Sequence, residues 1–462
     1  MTTSKTIPRS RPFSWGDAAK GRVLLIGHDD TDVTRRVLLA VGVRVTHLRS
    51  PVDREIRRAL SEPVDAVVII SRDDHVSLRI ALVVEGVMPG VRLIVTVYDR
   101  DVAAQLSRAA QNSRVMSMPD LVAPTLAGPC LDDSLLSVAR TPEGFSGVRA
   151  GDDGPKLVPL EPPRPSLGER VLANLGSLLR PFELSARLLM AGLLGLALIL
   201  VVDTAMTAIA LEEPLVEALY SATKTLVTVG SNNVVDQGPE WFKVFSSIAM
   251  LAALGLTAVF TAGVVNRLLD RRLSAIAGRR AVPRTDHVVV VGLGQIGLRL
   301  CGLLRELGVR VVAVESNPDA DNVVRAKDQG IPVVIGRGGS RFLLKRLSLG
   351  RARALAAVTS DEVENISVVV AALAERADLR TLLRAGAGEV INETRSLFSI
   401  GVVRDVYRVG GTLLAAAALG FKGDQAFLHE HTVYLVAPDG GIEAFEADSK
   451  PTPPVGTEPS GE

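Results

Sequence analysis

Gly292-Leu293-Gly294-Gln295-Ile296-Gly297 follows an unbroken run of valines and opens an amphipathic stretch, and Glu315 closes the next apolar run. Glycines at this spacing do backbone chemistry. Gly292 permits a tight turn, Gly294 lets main chain approach a pyrophosphate, and Gly297 lets helix and strand pack closely. The helix that begins inside the loop, at Gln295 and Ile296, turns its free N–H groups toward the phosphates. Glu315 stands where a carboxylate accepts from a ribose 2′-hydroxyl and repels a 2′-phosphate. NAD(H) or an adenine nucleotide such as ATP or ADP is therefore expected in preference to NADP. Thr359 and Ser360, followed by Asp361, end a later apolar run at the edge where ligands of such sheets sit. The bland alternative is a glycine turn without a ligand.

These residues need a parallel sheet behind them. From Asp286 onward, short apolar runs (DHVVVVG, VRVVAVE, PVVIG, ALAAVTS, RTLLRAG) alternate with helix-like stretches, a rhythm that predicts strands joined by crossover helices. The same rhythm occurs once before, in RVLLIG, RVTHL, DAVVIIS and VRLIVTVYD. DAVVIISRDDHVSLRIAL lines up with RALAAVTSDEVENISVVVAAL, and LVAPTLAGPCL with GTLLAAAALG, so the chain carries an internal duplication. The first copy is abbreviated: one helix-sized segment separates VTHL from DAVVII where the second copy has helix, strand and helix. Its turn, Gly27-His-Asp29-Asp30-Thr-Asp32, keeps one glycine and puts carboxylates where a phosphate would lie. That copy is expected to serve in assembly rather than to bind a dinucleotide, its aspartates being solvated, helix-capping groups or, less simply, a cation site.

Two stretches between the copies are apolar all round, near 188–210 and 244–265, each long enough for a hydrocarbon core of about 30 Å. Arg170, Arg180 and Arg187 precede the first, and Arg267, Arg271, Arg272, Arg279 and Arg280 follow the second. Both chain ends are thus expected in the cytoplasm, in a cell (inner) membrane protein. Trp241 then falls at the outer interface. Boundaries follow: a degenerate N-terminal domain over 20–138, a Gly-, Pro- and charge-rich linker over 139–183, a membrane unit over 184–272, a nucleotide-binding domain over 284–446 and a disordered tail over 447–462. A formal net charge of +1 gives no reason to expect a nucleic-acid partner. Cys130 and Cys301 have no metal-ligand spacing and read as reduced thiols. The N-terminus lacks the apolar core of a secretory signal.

Between the two spans, Pro214 opens a short helix, LVEALYSATKT, and Thr228-Val229-Gly230-Ser231-Asn232-Asn233 follows it. Non-helical backbone at membrane depth needs protein or water to cover it, so the segment 214–233 reads as a pore helix with a re-entrant loop. The order span, ALYSATKTLVTVG, span, β/α domain resembles that of two-helix potassium channels carrying RCK domains (TrkA-N type, NAD-binding Rossmann) and covers most of the chain. The resemblance implies α/β Rossmann-like (RCK) domains flanking an all-α two-helix pore unit. It further implies a homotetramer with a cytoplasmic ring of RCK domains. K+ or another monovalent cation would pass Thr228, Val229, Gly230, Ser231 and Asn232, where the family has TVGYG. Ser231 replaces the bracing tyrosine, Asn232 the second glycine and Asn233 the aspartate, and Lys224 adds a cation behind the loop. These departures imply a wider, less selective path, and channels of the Castor and Pollux type are similar in departing from TVGYG. Gly255 is either a bend point of the second span or a close-packing glycine. Asp203, near the outer end of the first span, reads as a solvated carboxylate before a functional one. The six histidines are scattered and no catalytic or metal-binding constellation is evident, so an enzyme is not expected. The leading expectation is a nucleotide-regulated cation channel or channel-like transport protein. The alternative is a non-conducting, membrane-anchored nucleotide sensor or a regulatory subunit of a potassium uptake system.

Overall fold

The computed structural model describes residues 21–28, 30–110, 112–141, 144–151, 154–160, 184–227, 238–269, 283, 285–385, 400–430 and 432–445. The chain divides into two compact units, Met1–Pro165 with Pro283–Glu462, and Ser166–Val282.

The first unit starts with β1 (Arg22–Ile26), α1 (Asp32–Ala40), β2 (Arg44–Leu48), α2 (Asp53–Ala59), β3 (Ala66–Ile69), α3 (Asp74–Val87), β4 (Arg92–Thr96), α4 (Arg100–Ala109) and β5 (Ser113–Met116). Its strands form a parallel sheet in the order β2-β1-β3-β4-β5. The central strand β3, AVVI, is buried at every position, as a strand covered on both faces must be. After β5 come α5 (Met118–Leu131) and three antiparallel strands, β6 (Leu135–Thr141), β7 (Gly144–Arg149) and β8 (Lys156–Pro159). The first part of the stretch expected as linker, 139–159, thus contains strands, while its remainder, 161–183, lies outside the described residues. Its apolar partner lies far along the chain, so local composition gives no sign of it.

The second unit holds α6 (Leu184–Ala210), α7 (Leu215–Leu226) and α8 (Glu240–Leu269). Leu189–Ala210 and Glu240–Val265 are long and apolar enough to cross a membrane, and only 11% and 17% of their apolar windows are buried. A core helix of a soluble protein would have its apolar surface covered; here most of it is open. α6 and α8 meet through glycine: a Cβ on Gly192 would come within 2.9 Å of the Phe260 main chain, and one on Gly263 within 2.9 Å of Leu189 N. Small residues let membrane-type helices approach closely. Gly255 does not act this way within the chain, since a Cβ there meets nothing within 4 Å, and α8 runs through it without a break. Pro214 is the N-cap of α7, consistent with its lack of an N–H. Asp203 is not solvated: it is 3% exposed, with Thr207, Ser221, Thr225 and Ser246 also buried, and its carboxyl is hydrogen-bonded to Thr225 of α7. The short helix lies alongside α6 and covers the acid. Lys224 sits over the Tyr220 ring, 4.4 Å from its centre. The segment Thr228–Asn233, with the whole expected ion path, lies outside the described residues.

The first unit resumes with β9 (His287–Val291), α9 (Gln295–Glu306), β10 (Arg310–Glu315), α10 (Asp321–Asp328), β11 (Val333–Ile335), α11 (Arg341–Arg346), β12 (Ala354–Ala357), α12 (Glu362–Glu375), β13 (Arg380–Ala385) and β14 (Val402–Asp405). The sheet is parallel with order β11-β10-β9-β12-β13-β14, the arrangement of a dinucleotide-binding doubly wound fold. The N-terminal sheet lacks the counterpart of β11, in keeping with its abbreviated sequence. α13 (Val406–Ala418) and the antiparallel strands β15 (Gln425–His429), β16 (Thr432–Val436) and β17 (Ile442–Phe445) complete the unit.

The two copies exchange helices. α5 leaves its own sheet to pack on α9, β12 and β13, and α13 packs reciprocally on α1, β3 and β4. One core results, in which Val122 and Leu126 cluster with Leu300 and Leu304, and Leu413 and Leu414 with Val37 and Leu38. The two small sheets also join: Leu136, Ala139 and Val148 pack with Phe427, Val436 and Ile442. Two prolines interrupt the hydrogen bonding of α5. Pro129 cannot donate to the carbonyl of Thr125, and Arg404 Nε donates to that oxygen instead at 3.4 Å.

Candidate functional site

The three glycines differ in what their missing side chains allow. Gly292 lies at φ +95°, and a Cβ there would stand 2.7 Å from Thr359 N. Only glycine fits a turn that is both left-handed and pressed against the end of β12. A Cβ on Gly297 would run into the carbonyl oxygen of Gly292, so the turn and the helix close on each other there. Around Gly294 there is open space, with nothing within 4 Å of a would-be Cβ. Gly294 is also the N-cap of α9, with no side-chain cap on that helix end. Unfilled N–H groups facing open space are what an anionic phosphate needs.

That space is a cavity of about 490 Å³, lined among others by Gly292, Gly294, Gln295, Ile296, Glu315, Thr359 and Ser360. Gly297 is absent from its wall because its part is to let α9 pack. Glu315 accepts from Leu293 N at 2.9 Å and from Asn317 N at 3.0 Å. Ser316 Oγ also donates to it at 3.2 Å; a carboxylate has about four acceptor sites, so these three bonds fix its orientation and leave capacity for one ribose hydroxyl. The loop after β12 is held by buried Asn365, whose Oδ1 accepts from Thr359 N and Oγ1, each at 2.9 Å, and whose Nδ2 donates to Thr359 O at 3.1 Å. Asp361 caps α12, accepting from Val363 N and Glu364 N at 2.8 and 3.0 Å; it does not belong to the cavity wall.

Several lining residues carry no sequence signal. Arg384 ends β13, donates to Tyr407 Oη at 2.9 Å, and stacks over the Tyr407 ring at 5.5 Å. Tyr407 belongs to the first turn of the exchanged helix α13. From the other copy come Asp30, Arg72, Tyr98 and the start of α5, Met118 and Pro119. Asp30, expected to be solvated or to cap α1, does neither: Arg72 Nε and Nη2 bind its two carboxylate oxygens, each at 3.1 Å. Burial, with help from Asp30, pushes the Tyr98 phenol up to about 12. The expectation that the first copy serves in assembly did not include its share in this wall.

Residues 288–398 match the TrkA-N domain family. The chain is similar to the voltage-gated potassium channel Kch of Escherichia coli, 21% identical over 187 residues that make up 40% of this chain and 45% of that one. It is also similar to potassium channel protein 1 of Methanocaldococcus jannaschii, 22% identical over 211 residues, 44% of this chain and 62% of that one. These alignments cover less than two thirds of either relative. Among solved structures, the GsuK channel bound to NAD covers 90% of this chain and 66% of its own, with 14% identity and a TM-score of 0.46.

Proposed function

We propose that this chain is a nucleotide-regulated cation channel, or a channel-like transport protein, of potassium type. It crosses the cell membrane twice with both termini in the cytoplasm, forms a homotetramer with a ring of RCK lobes, and passes K+ or another monovalent cation along Thr228, Val229, Gly230, Ser231 and Asn232. The observation that carries this reading is one chain holding both an open cavity at a glycine turn and two long apolar helices, mostly uncovered, with α7 between them. The potassium-channel relatives and the TrkA-N match support it. NAD(H), ADP or ATP fits the residues present: open N–H groups at Gly294, a glycine turn free of side chains, and an oriented Glu315 for the ribose. Such a ligand would gate by binding one arrangement of the lobes more tightly than another. An enzymatic reading is disfavoured because the curated relatives that the chain resembles are potassium channels.

The test is cation flux into liposomes containing only this protein, with and without each nucleotide. Gly294→Asp places a carboxylate in open space without a packing clash, so it should leave the fold intact and abolish the nucleotide response and nucleotide-induced stabilisation. Unchanged melting of the wild type in saturating NAD(H), ADP and ATP would remove the nucleotide from the proposal. A second reading, a non-conducting membrane-anchored sensor or regulatory subunit, is favoured by Ser231 in place of a bracing aromatic residue and by Lys224 on the pore helix. Nucleotide binding without flux in any ligand state would select it.

A further inference from the structure

We propose that the nucleotide cavity is a shared site, in which Arg72 of the N-terminal copy binds the ligand's pyrophosphate and Asp30 holds the place of that anion until the ligand arrives. This rests on the nucleotide reading above and extends it to residues outside the TrkA-N match.

These observations lead here. Asp30, Arg72 and Tyr98 face the same cavity as Gly292 and Gly294, although they belong to the copy whose own fingerprint is lost. The Asp30–Arg72 pair is two-pronged, with both bonds at 3.1 Å, and the planar guanidinium fork presents to a phosphate the same geometry it presents to a carboxylate. Asp30 adopts this place at φ +60°, a left-handed conformation that costs an L-residue roughly 1–2 kcal/mol, less for Asp. The Arg72 side chain is 55% exposed and that of Asp30 17%. Arg72 is thus the more accessible member of a pair that lines the cavity. Arg384, bound to Tyr407, supplies the cation of the other wall.

A dinucleotide or nucleoside diphosphate entering along Gly292 and Gly294 would have phosphates on the α9 N-terminus and Arg72 facing them from the opposite copy. Arg72 then exchanges one anion for another, and Asp30 is a competitor built into the protein. Met118 with Pro119 and Val406 with Tyr407, the first turns of the two exchanged helices, share this wall. The exchange therefore takes place at the joint between the copies.

The two members of the pair make opposite predictions. Equilibrium titration of the full-length protein in detergent with NAD, ADP and adenosine measures them. Arg72→Ala should weaken NAD and ADP at least tenfold, leave adenosine unchanged, and flatten the salt dependence of NAD binding. Asp30→Asn should strengthen NAD and ADP several-fold, because Arg72 loses its resident competitor. A pair that only staples the loops after β1 and β3 gives a different result: both variants lower the melting temperature and shift affinity in the same direction. That outcome, or unaltered binding by Arg72→Ala, overturns the proposal. Arg72→Lys keeps the charge without the fork and should fall between wild type and alanine, which guards against a folding defect in the alanine variant. Failure of the wild type to bind NAD or ADP would overturn the nucleotide reading itself; wild-type binding indifferent to residues 30 and 72 would overturn only the shared site.

Discussion

His287, the first residue of β9, is fully buried and its Nε2 lies 3.0 Å from the carbonyl oxygen of Leu347. Burial depresses its pKa to about 4, against about 6.5 in an unfolded chain. As pH falls below 6.5, the unfolded state takes up the proton first, so the stabilisation is complete above that pH and is lost toward pH 4. Its size is about 3 kcal/mol at most. Urea unfolding of the α/β unit should therefore move to lower urea between pH 6.5 and 4, and His287→Gln should remove much of that slope. A slope identical in the variant would assign it to other groups. The glycines show the same dependence on single positions: Gly292 and Gly297 are demanded by steric closeness, while nothing in the fold crowds a side chain at Gly294.

At the scale of elements, the exchanged helices carry the structure. α5 contains Pro124 and Pro129 and is nonetheless buried along most of its length, so its unpaired carbonyls need partners from elsewhere. Arg404 reaches Thr125 O and Leu136 O, and Arg380 reaches Leu131 O at 2.8 Å. Both arginines come from the other copy's β13 and β14. Arg404→Ala should lower stability by roughly 1–3 kcal/mol by removing the donor from two part-buried carbonyls, Thr125 O of α5 and Leu136 O of β6, read from chemical denaturation. A loss below about 0.5 kcal/mol would mean that water replaces the guanidinium.

Across the unit that holds both copies, one core runs through the two of them, beside a second cluster confined to the N-terminal copy. Cys130 lies on α5 and Cys301 on α9, both fully buried and free, and burial raises both thiols far above their usual range, Cys130 to about 12. The thiolate is the reactive form, so neither should react with an alkylating reagent near neutral pH in the native protein. Both should become reactive in one step as denaturant rises, because uncovering either requires α5 and α9 to part. Release of one thiol well before the other would show that the copies unfold separately. The same shared core brings Arg72 and Tyr98 to the cavity at the Gly292–Gly297 turn, far away in sequence.

The alternating rhythm, the glycine fingerprint, Glu315 and the two apolar stretches were legible in the residues because each is a local demand: period, turn geometry or length. Duplication was legible too, including the kinship of LVAPTLAGPCL with GTLLAAAALG, which became α5 and α13. Strands β6 to β8 were not, since their apolar faces are completed by residues from Phe427 onward and their composition imitates a linker. Asp203 gave no sign of burial, because a carboxylate near a span's end is covered only once α7 lies against it. Asp30 looked like a repelling charge until Arg72, placed by the fold of β3, neutralised it. Periodicity and turn chemistry act over a few residues and can be read along the chain. Who completes a cavity or shields a charge is decided by helices that cross between copies, and that exists only in three dimensions.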